Sequence, residues 1–177
     1  HGGMMAACGT FFVFSDYMKP AIRMAALMKL PVKYVFSHDA FRVGEDGPTH
    51  EPIEQEAQMR LLEEIRNSDG KPSVLVLRPA DSAETTIAWE MALENKDTPT
   101  ALILTRQDVN DIPAIAGNRY SEAQGIRRGG YTVIDAPHPK VILVGNGSEV
   151  SLLCDVATEL EKEGIASRVV SIPSIGL

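Results

Sequence analysis

The chain has 177 residues, 44% apolar and 23% charged, with 17 basic against 24 acidic side chains and a net charge of -7. That balance fits one or two compact units and argues against a nucleic-acid backbone binder, which needs a clustered surplus of Lys and Arg. No apolar run approaches the roughly 20 residues of a bilayer-spanning helix, so no membrane role is expected. Cys8 and Cys154 lie far apart in apolar surroundings and read as buried, reduced thiols of a cytoplasmic protein. His1 is not followed by a basic-then-apolar leader, and the chain reads as part of something longer.

In chain order, apolar runs of strand length alternate with helical periods. Gly9 to Phe14 is a compact aromatic run, after which Ser15 or Asp16 caps a helix to about Leu30. Pro20 is tolerated there because it falls near the first turn, where its missing N–H costs least. Val32 to Phe36 reads as a buried strand, Ser37 to Pro52 as a loop, and the next segment as a charged helix through Arg66. Asn67 to Pro72, centred on Asp69-Gly70, has turn chemistry. After a strand at Val74 to Leu77, Asp81 and Glu84 form a D-x-x-E capping box that opens a helix through about Glu94. Its apolar positions Ile87, Ala88, Met91 and Ala92 recur at helical spacing, and Ala101 to Leu104 is another apolar strand. Strands apolar on both faces, alternating with helices, predict an α/β fold: a mostly parallel sheet flanked by helices.

Gln107 to Pro139 is polar and bears several Gly and Pro, apart from a short strand at Tyr131 to Ile134, and reads as a surface-packed linker. Val141 to Val144, a helix from Ser148 to Glu163 closed by Gly164, and Arg168 to Ser171 then form one βαβ unit. About 40 residues are too few to bury a core of their own, so this unit reads as the opening of a second α/β domain.

The strongest chemical signal is the loop after the second strand, S-H-D-A-F-R-V-G-E-D-G-P-T-H from Ser37 to His50. In open parallel sheets, ligand sites gather beyond the carboxyl ends of strands. His38, Asp39, Asp46 and His50 can hydrogen-bond hydroxyls and move protons near neutral pH. The same residues also suit an acidic solvated loop with Asp46-Gly47-Pro48 as a turn. A metal site is disfavoured, because no H-x-x-x-H or C-x-x-C core accompanies them. Phe11, Phe14 and Tyr17, spaced i, i+3 and i+6, read as core on spacing alone, and Arg106 as a surface arginine ending a strand. Gly145-x-Gly147 lacks the third glycine of a dinucleotide loop and reads as a tight strand-to-helix turn. Lys19, Arg23 and Lys29 read as a solvated helix face, not an anion site.

The run Gly44-Glu45-Asp46-Gly47-Pro48-Thr49-His50 with Pro52-Ile53-Glu54 resembles the transketolase signature. Gly9-Thr10-Phe11 through Phe14-Ser15-Asp16-Tyr17, Leu77 to Asp81, Thr105-Arg106-Gln107 and Gly147 to Ser151 resemble further landmarks of that family in the same order. The resemblance implies the central pyrimidine-binding domain, incomplete at its N-terminus, with a trailing linker over residues 1–136. It also implies the truncated start of the C-terminal domain over 137–177. By that resemblance the whole protein is a transferase of the pentose phosphate pathway. It moves a two-carbon ketol unit from a ketose phosphate to an aldose phosphate with thiamine diphosphate, whose thiazolium carries the bond-breaking chemistry. Phe11, Phe14 and Tyr17 are then the aminopyrimidine pocket, with Phe14 stacking. His38 and His50 are the catalytic imidazoles on the donor's oxygens, Asp46 reads its hydroxyls, and Arg106 holds the sugar phosphate.

A homodimer, a magnesium or calcium ion bound by an N-terminal domain outside this chain, and an activating glutamate upstream of His1 are also implied. Dihydroxyacetone synthase and deoxyxylulose-phosphate synthase are the neighbouring enzyme readings, and a non-catalytic partner-binding module is the other. Glu45 with Pro52-Ile53-Glu54 favours transketolase over the synthase that uses pyruvate. Against the family pattern, Ala40-Phe41 replaces Ser-Ile, Glu51 replaces Gln, Asn146 replaces Thr, and the stretch from Ile65 to Pro72 is longer, as a surface insertion would be.

Overall fold

A computed structural model describes residues 3–39 and 42–177, so the Ala40-Phe41 departure lies outside the described residues. The chain divides into two compact units: residues up to Leu77 with Trp89–Asp108, and Arg78–Ala88 with Val109–Ile175.

The first unit is built on a four-stranded parallel sheet of β1 (Ala7–Phe11), β2 (Lys33–Ser37), β3 (Leu75–Leu77) and β4 (Thr100–Ile103), in the order β1-β2-β4-β3. Parallel neighbours need crossovers, and α1 (Ser15–Leu27), α2 (Gln55–Glu64) and α3 (Ser82–Glu94) lie between the strands in the chain. The core joins Phe12, Ile22, Tyr34, Phe36, Met59 and Ile103, with the Phe12 and Phe36 rings 5.4 Å apart. Each such fully buried side chain stabilises the unit by about 1.5–3 kcal/mol.

Three local expectations need correction here. Neither Ser15 nor Asp16 caps α1. A 3-10 turn over Phe12–Phe14 leads straight into the helix, and the Ser15 amide already donates to Phe12 O. Pro20 is therefore well inside α1 rather than in its first turn. Cys8 is exposed, near the start of the sheet's edge strand, whereas Cys154 is buried as expected.

In the second unit, β6 (Val141–Gly145), α5 (Glu149–Lys162) and β7 (Ser167–Ser171) form the expected parallel βαβ unit. A further strand, β5 (Tyr131–Ile134), pairs antiparallel with the other side of β7. The segment from Gln107 to Pro139 is more than a surface linker. It carries α4 (Arg119–Ala123) and a 3-10 turn over Gln124–Arg128, and it buries Ile112, Ala123, Ile126 and Val133. At the start of α3 the capping box forms as read: Asp81 Oδ1 accepts from Glu84 N at 2.8 Å. Glu84, fully buried, accepts from Ala80 N, Tyr131 Oη, Ser171 Oγ and Arg119 Nη2.

Candidate active site at the carboxyl ends of the first sheet

The parallel pairing sets the ends of β1, β2 and β4 side by side, and Phe11, Phe14, His38, Asp46, His50 and Arg106 come from these ends or the segments just after them, with Tyr17 in the first turn of α1. Phe11 is the last residue of β1, His38 directly follows β2, and Arg106 comes three residues after β4. His38 takes a φ of +59°, a left-handed conformation that turns the chain abruptly out of the strand. Its ring lies on Phe11, centroids 3.7 Å apart and nearly parallel at 21°. Phe11 also stacks with Phe14 at 6.1 Å and 12°, and His50 meets Phe11 and Phe14 edge-on at 5.8 and 5.3 Å. The structure thus brings together two phenyl rings and two imidazoles separated by up to 39 positions. Tyr17, 6.1 Å from Phe14, is 82% exposed.

Each imidazole has a hydroxyl from the preceding residue. Ser37 Oγ lies 3.0 Å from His38 Nδ1, and Thr49 Oγ1 lies 2.8 Å from His50 Nδ1. A hydroxyl on one ring nitrogen fixes which nitrogen serves the other side. His38 Nε2 faces Asp46 Oδ2 at 3.5 Å, an ion-pair distance whenever the imidazole is protonated. Gly44, at φ +84°, brings the loop against Arg106: a Cβ there would lie 3.0 Å from Arg106 Cζ. The arginine that ends one strand therefore rests on the loop that follows its neighbour.

Several supporting residues gave little signal in the sequence. Gln55, buried, accepts from Ile53 N at 2.8 Å and donates to Asp16 Oδ2 at 3.1 Å, tying the loop's exit to the first turn of α1. Hydrogen bonding from Lys19 and Gln55 lowers the Asp16 pKa against partial burial. Among the described residues, the Ser15 hydroxyl, next to Phe14, is fully buried and without a partner, as are Thr105 Oγ1 and both side-chain amide atoms of Gln107 on either side of Arg106. Ser37 and Thr49 were findable as hydroxyls adjoining histidines, whereas the Gln55 clamp spans 39 positions and leaves no local pattern. Among the described residues, no group of three or more His, Cys, Asp or Glu is arranged to hold a metal ion.

Two family profiles match the chain: transketolase pyrimidine binding domain over residues 1–111, and transketolase-like TK C-terminal domain over residues 129–177. The chain belongs to the transketolase family. It is 50% identical over 176 residues to the transketolase of Geobacillus stearothermophilus, covering 98% of this chain and 25% of that protein. This transketolase-family chain also resembles a crystal structure of the Pichia stipitis transketolase in complex with sedoheptulose 7-phosphate. The TM-score is 0.79 at 40% identity, over 96% of this chain and 23% of the other. A split-gene transketolase described as an inactive β4 tetramer matches with a TM-score of 0.72 and 26% identity, over 97% of this chain and 50% of that one. The chain spans about a quarter of the length of the curated relatives it matches.

Proposed function

We propose that the protein carrying this chain is a transketolase, moving a two-carbon ketol unit from a ketose phosphate to an aldose phosphate. In this reading it is a cytoplasmic homodimer of the pentose phosphate pathway that uses thiamine diphosphate and a divalent cation. The observation that carries the reading is the junction of Phe11, Phe14, His38 and His50 at the strand ends, with Asp46 and Arg106 in reach of the same loop.

The residues present fit the ring half of the cofactor. Phe11 and Phe14 offer flat faces at a stacking distance, and the buried, unpartnered Ser15 hydroxyl beside them is free to meet a heterocycle's polar edge. When bound, the cofactor supplies the nucleophilic carbon and the electron sink for carbon–carbon cleavage. In our proposal Phe14, with Phe11 and Tyr17, holds the aminopyrimidine. His38 offers Nε2 to a donor oxygen while Ser37 holds Nδ1 and Phe11 shields one ring face from water. His50, steadied by Thr49, serves a neighbouring oxygen. Asp46, whose Oδ2 lies 3.5 Å from His38 Nε2, accepts from donor hydroxyls. Arg106 forks onto the sugar phosphate. The cation is assigned to residues outside this chain. We also propose a pyrimidine-binding unit with its trailing linker to residue 136 and a C-terminal unit from 137, with β5 recruited from that linker into the second sheet.

The test is product analysis with the intact polypeptide. Ketol transfer from xylulose 5-phosphate to ribose 5-phosphate is expected to exceed any reaction with formaldehyde, or with pyruvate plus glyceraldehyde 3-phosphate, by at least about a hundredfold. Comparable turnover of pyruvate would replace this reading with that of the pyruvate-using synthase. Arg106→Leu is expected to raise KM for phosphorylated donors at least about tenfold with little change in kcat, as loss of a charge-assisted fork predicts.

A further inference from the structure

The amino-terminal ends of β2 and β3 lie at the opposite edge of the first sheet from the histidine loop. There the end of α1, the end of α2 and the 65–73 turn border an open groove of about 410 Å³, a volume in the range of small-molecule sites. Its apolar lining is Ala26, Leu62 and buried Val74 with the largely exposed Leu27 and Ile65. Its polar lining carries cations, amides and hydroxyls and no carboxylate: Arg23, Lys29, Arg66, Asn67, Ser68 and Ser73.

The turn that borders the groove is the segment read as an insertion. It is a built structure: Arg66 bridges to Pro72, Gly70 takes a φ of +76°, and Asn67 Oδ1 accepts from the amides of Asp69 and Lys71 at 2.9 and 3.1 Å. Lys29 Nζ reaches Asp69 Oδ2 at 2.6 Å and staples the turn to the end of α1. That bridge neutralises Lys29. Arg23 and Arg66 have no acidic partner among the described residues. Asn67 Nδ2 is buried without an acceptor. Two unneutralised guanidinium groups beside an apolar lining are complementary to a molecule that is anionic at one end and apolar at the other.

We propose that this groove binds a small amphipathic anion, a carboxylate or phosphate monoester on an apolar body of about eight carbons. The head lies between Arg23 and Arg66 and the body on Leu27, Leu62 and Ile65. The inference rests on this groove alone and is independent of the proposed ketol transfer.

Calorimetric titration of the complete polypeptide with octanoate, octyl phosphate, octanol and inorganic phosphate tests it. Saturable binding of octanoate or octyl phosphate is expected, the tighter of the two identifying the head group. Octanol lacks the charge and inorganic phosphate lacks the body, and each is expected to bind at least about tenfold more weakly, since each buried methylene is worth roughly fourfold. The double variant Arg23→Ala, Arg66→Ala is expected to weaken binding at least about tenfold with an unchanged thermal midpoint. Absence of saturable binding by both anions, octanol binding as tightly as octanoate, or undiminished binding by the double variant overturns the proposal. The ligand comparison on the unmodified protein decides the matter even if the double variant loses its fold.

Discussion

At Gly44 the backbone lies at φ +84°, and a methyl group there would press on the Arg106 guanidinium. Gly44→Ala therefore combines a left-handed backbone that an L-residue resists with a displaced arginine, and is expected to cost about 1–2 kcal/mol of stability. It should also raise KM for a phosphorylated donor more than for an unphosphorylated ketose. Urea unfolding and paired kinetics check both effects. Lys33 is another residue whose surroundings set its behaviour. It is 1% exposed, and its ammonium donates to Asn95 O at 2.9 Å, with no carboxylate partner among the described residues. Burial, aided by the nearby charge of Lys96, lowers its pKa to about 8 from 10.5. In this window the unfolded chain binds more protons than the folded one, so this residue's contribution to stability rises as pH climbs from about 8 towards 10.5. Relative to Lys33→Met, the natural protein should gain on the order of 2 kcal/mol across that window, read from denaturation midpoints. A flat difference would show that the ammonium is effectively solvated.

Among the elements, the start of α3 is where one helix end and one loop depend on the same carboxylates. Asp81 accepts from Glu84 N, from Ile112 N at 3.1 Å and from Arg119 Nε at 2.6 Å. Burial pushes the Glu84 carboxyl up despite bonds from Tyr131, Ala80 and Ser171. Arg119 keeps Glu84 at 3.2 Å when Asp81 is lost, so Asp81→Ala is expected to cost about 1–3 kcal/mol, chiefly through the orphaned amides of Glu84 and Ile112. A double-mutant cycle with Arg119→Met on urea midpoints measures the coupling, and strict additivity would mean the pair is not coupled. The order of elements was readable in advance because their apolar periods are strong. β5 was visible as a strand, but its partner β7 follows only after β6 and α5. The burial of Ile112, Ala123, Ile126 and Val133 was hidden because they are scattered among polar neighbours without a single period.

At the scale of the whole molecule, this chain supplies aromatic faces and imidazoles but, among its described residues, no metal-binding cluster. We expect the 177 residues alone, given thiamine diphosphate and magnesium, to show no ketol transfer in a coupled assay. Measurable turnover would mean that the chain binds the diphosphate by itself. The candidate site was legible as a loop rich in His and Asp with a recognisable signature. What the sequence alone could not display was convergence: Phe11 and His50 meet because parallel pairing aligns strand ends, and Gly44 meets Arg106 because β2 and β4 are neighbours. The proposed anion groove was invisible for the same reason, since Arg23 comes from a helix face read as solvated and Arg66 from a separate segment 43 positions on.

Cys8 gives this architecture a practical use. It is the exposed member of the chain's two cysteines, on the same strand as Phe11 and three residues before it, which at the rise of an extended strand is about 10 Å. Partial covering of the sulfur raises its pKa, so alkylation will be slow at neutral pH and clean in mild alkali. A fluorophore attached there would watch the Phe11–Phe14 face from along its own strand, turning occupancy of that face into a light signal that needs no turnover.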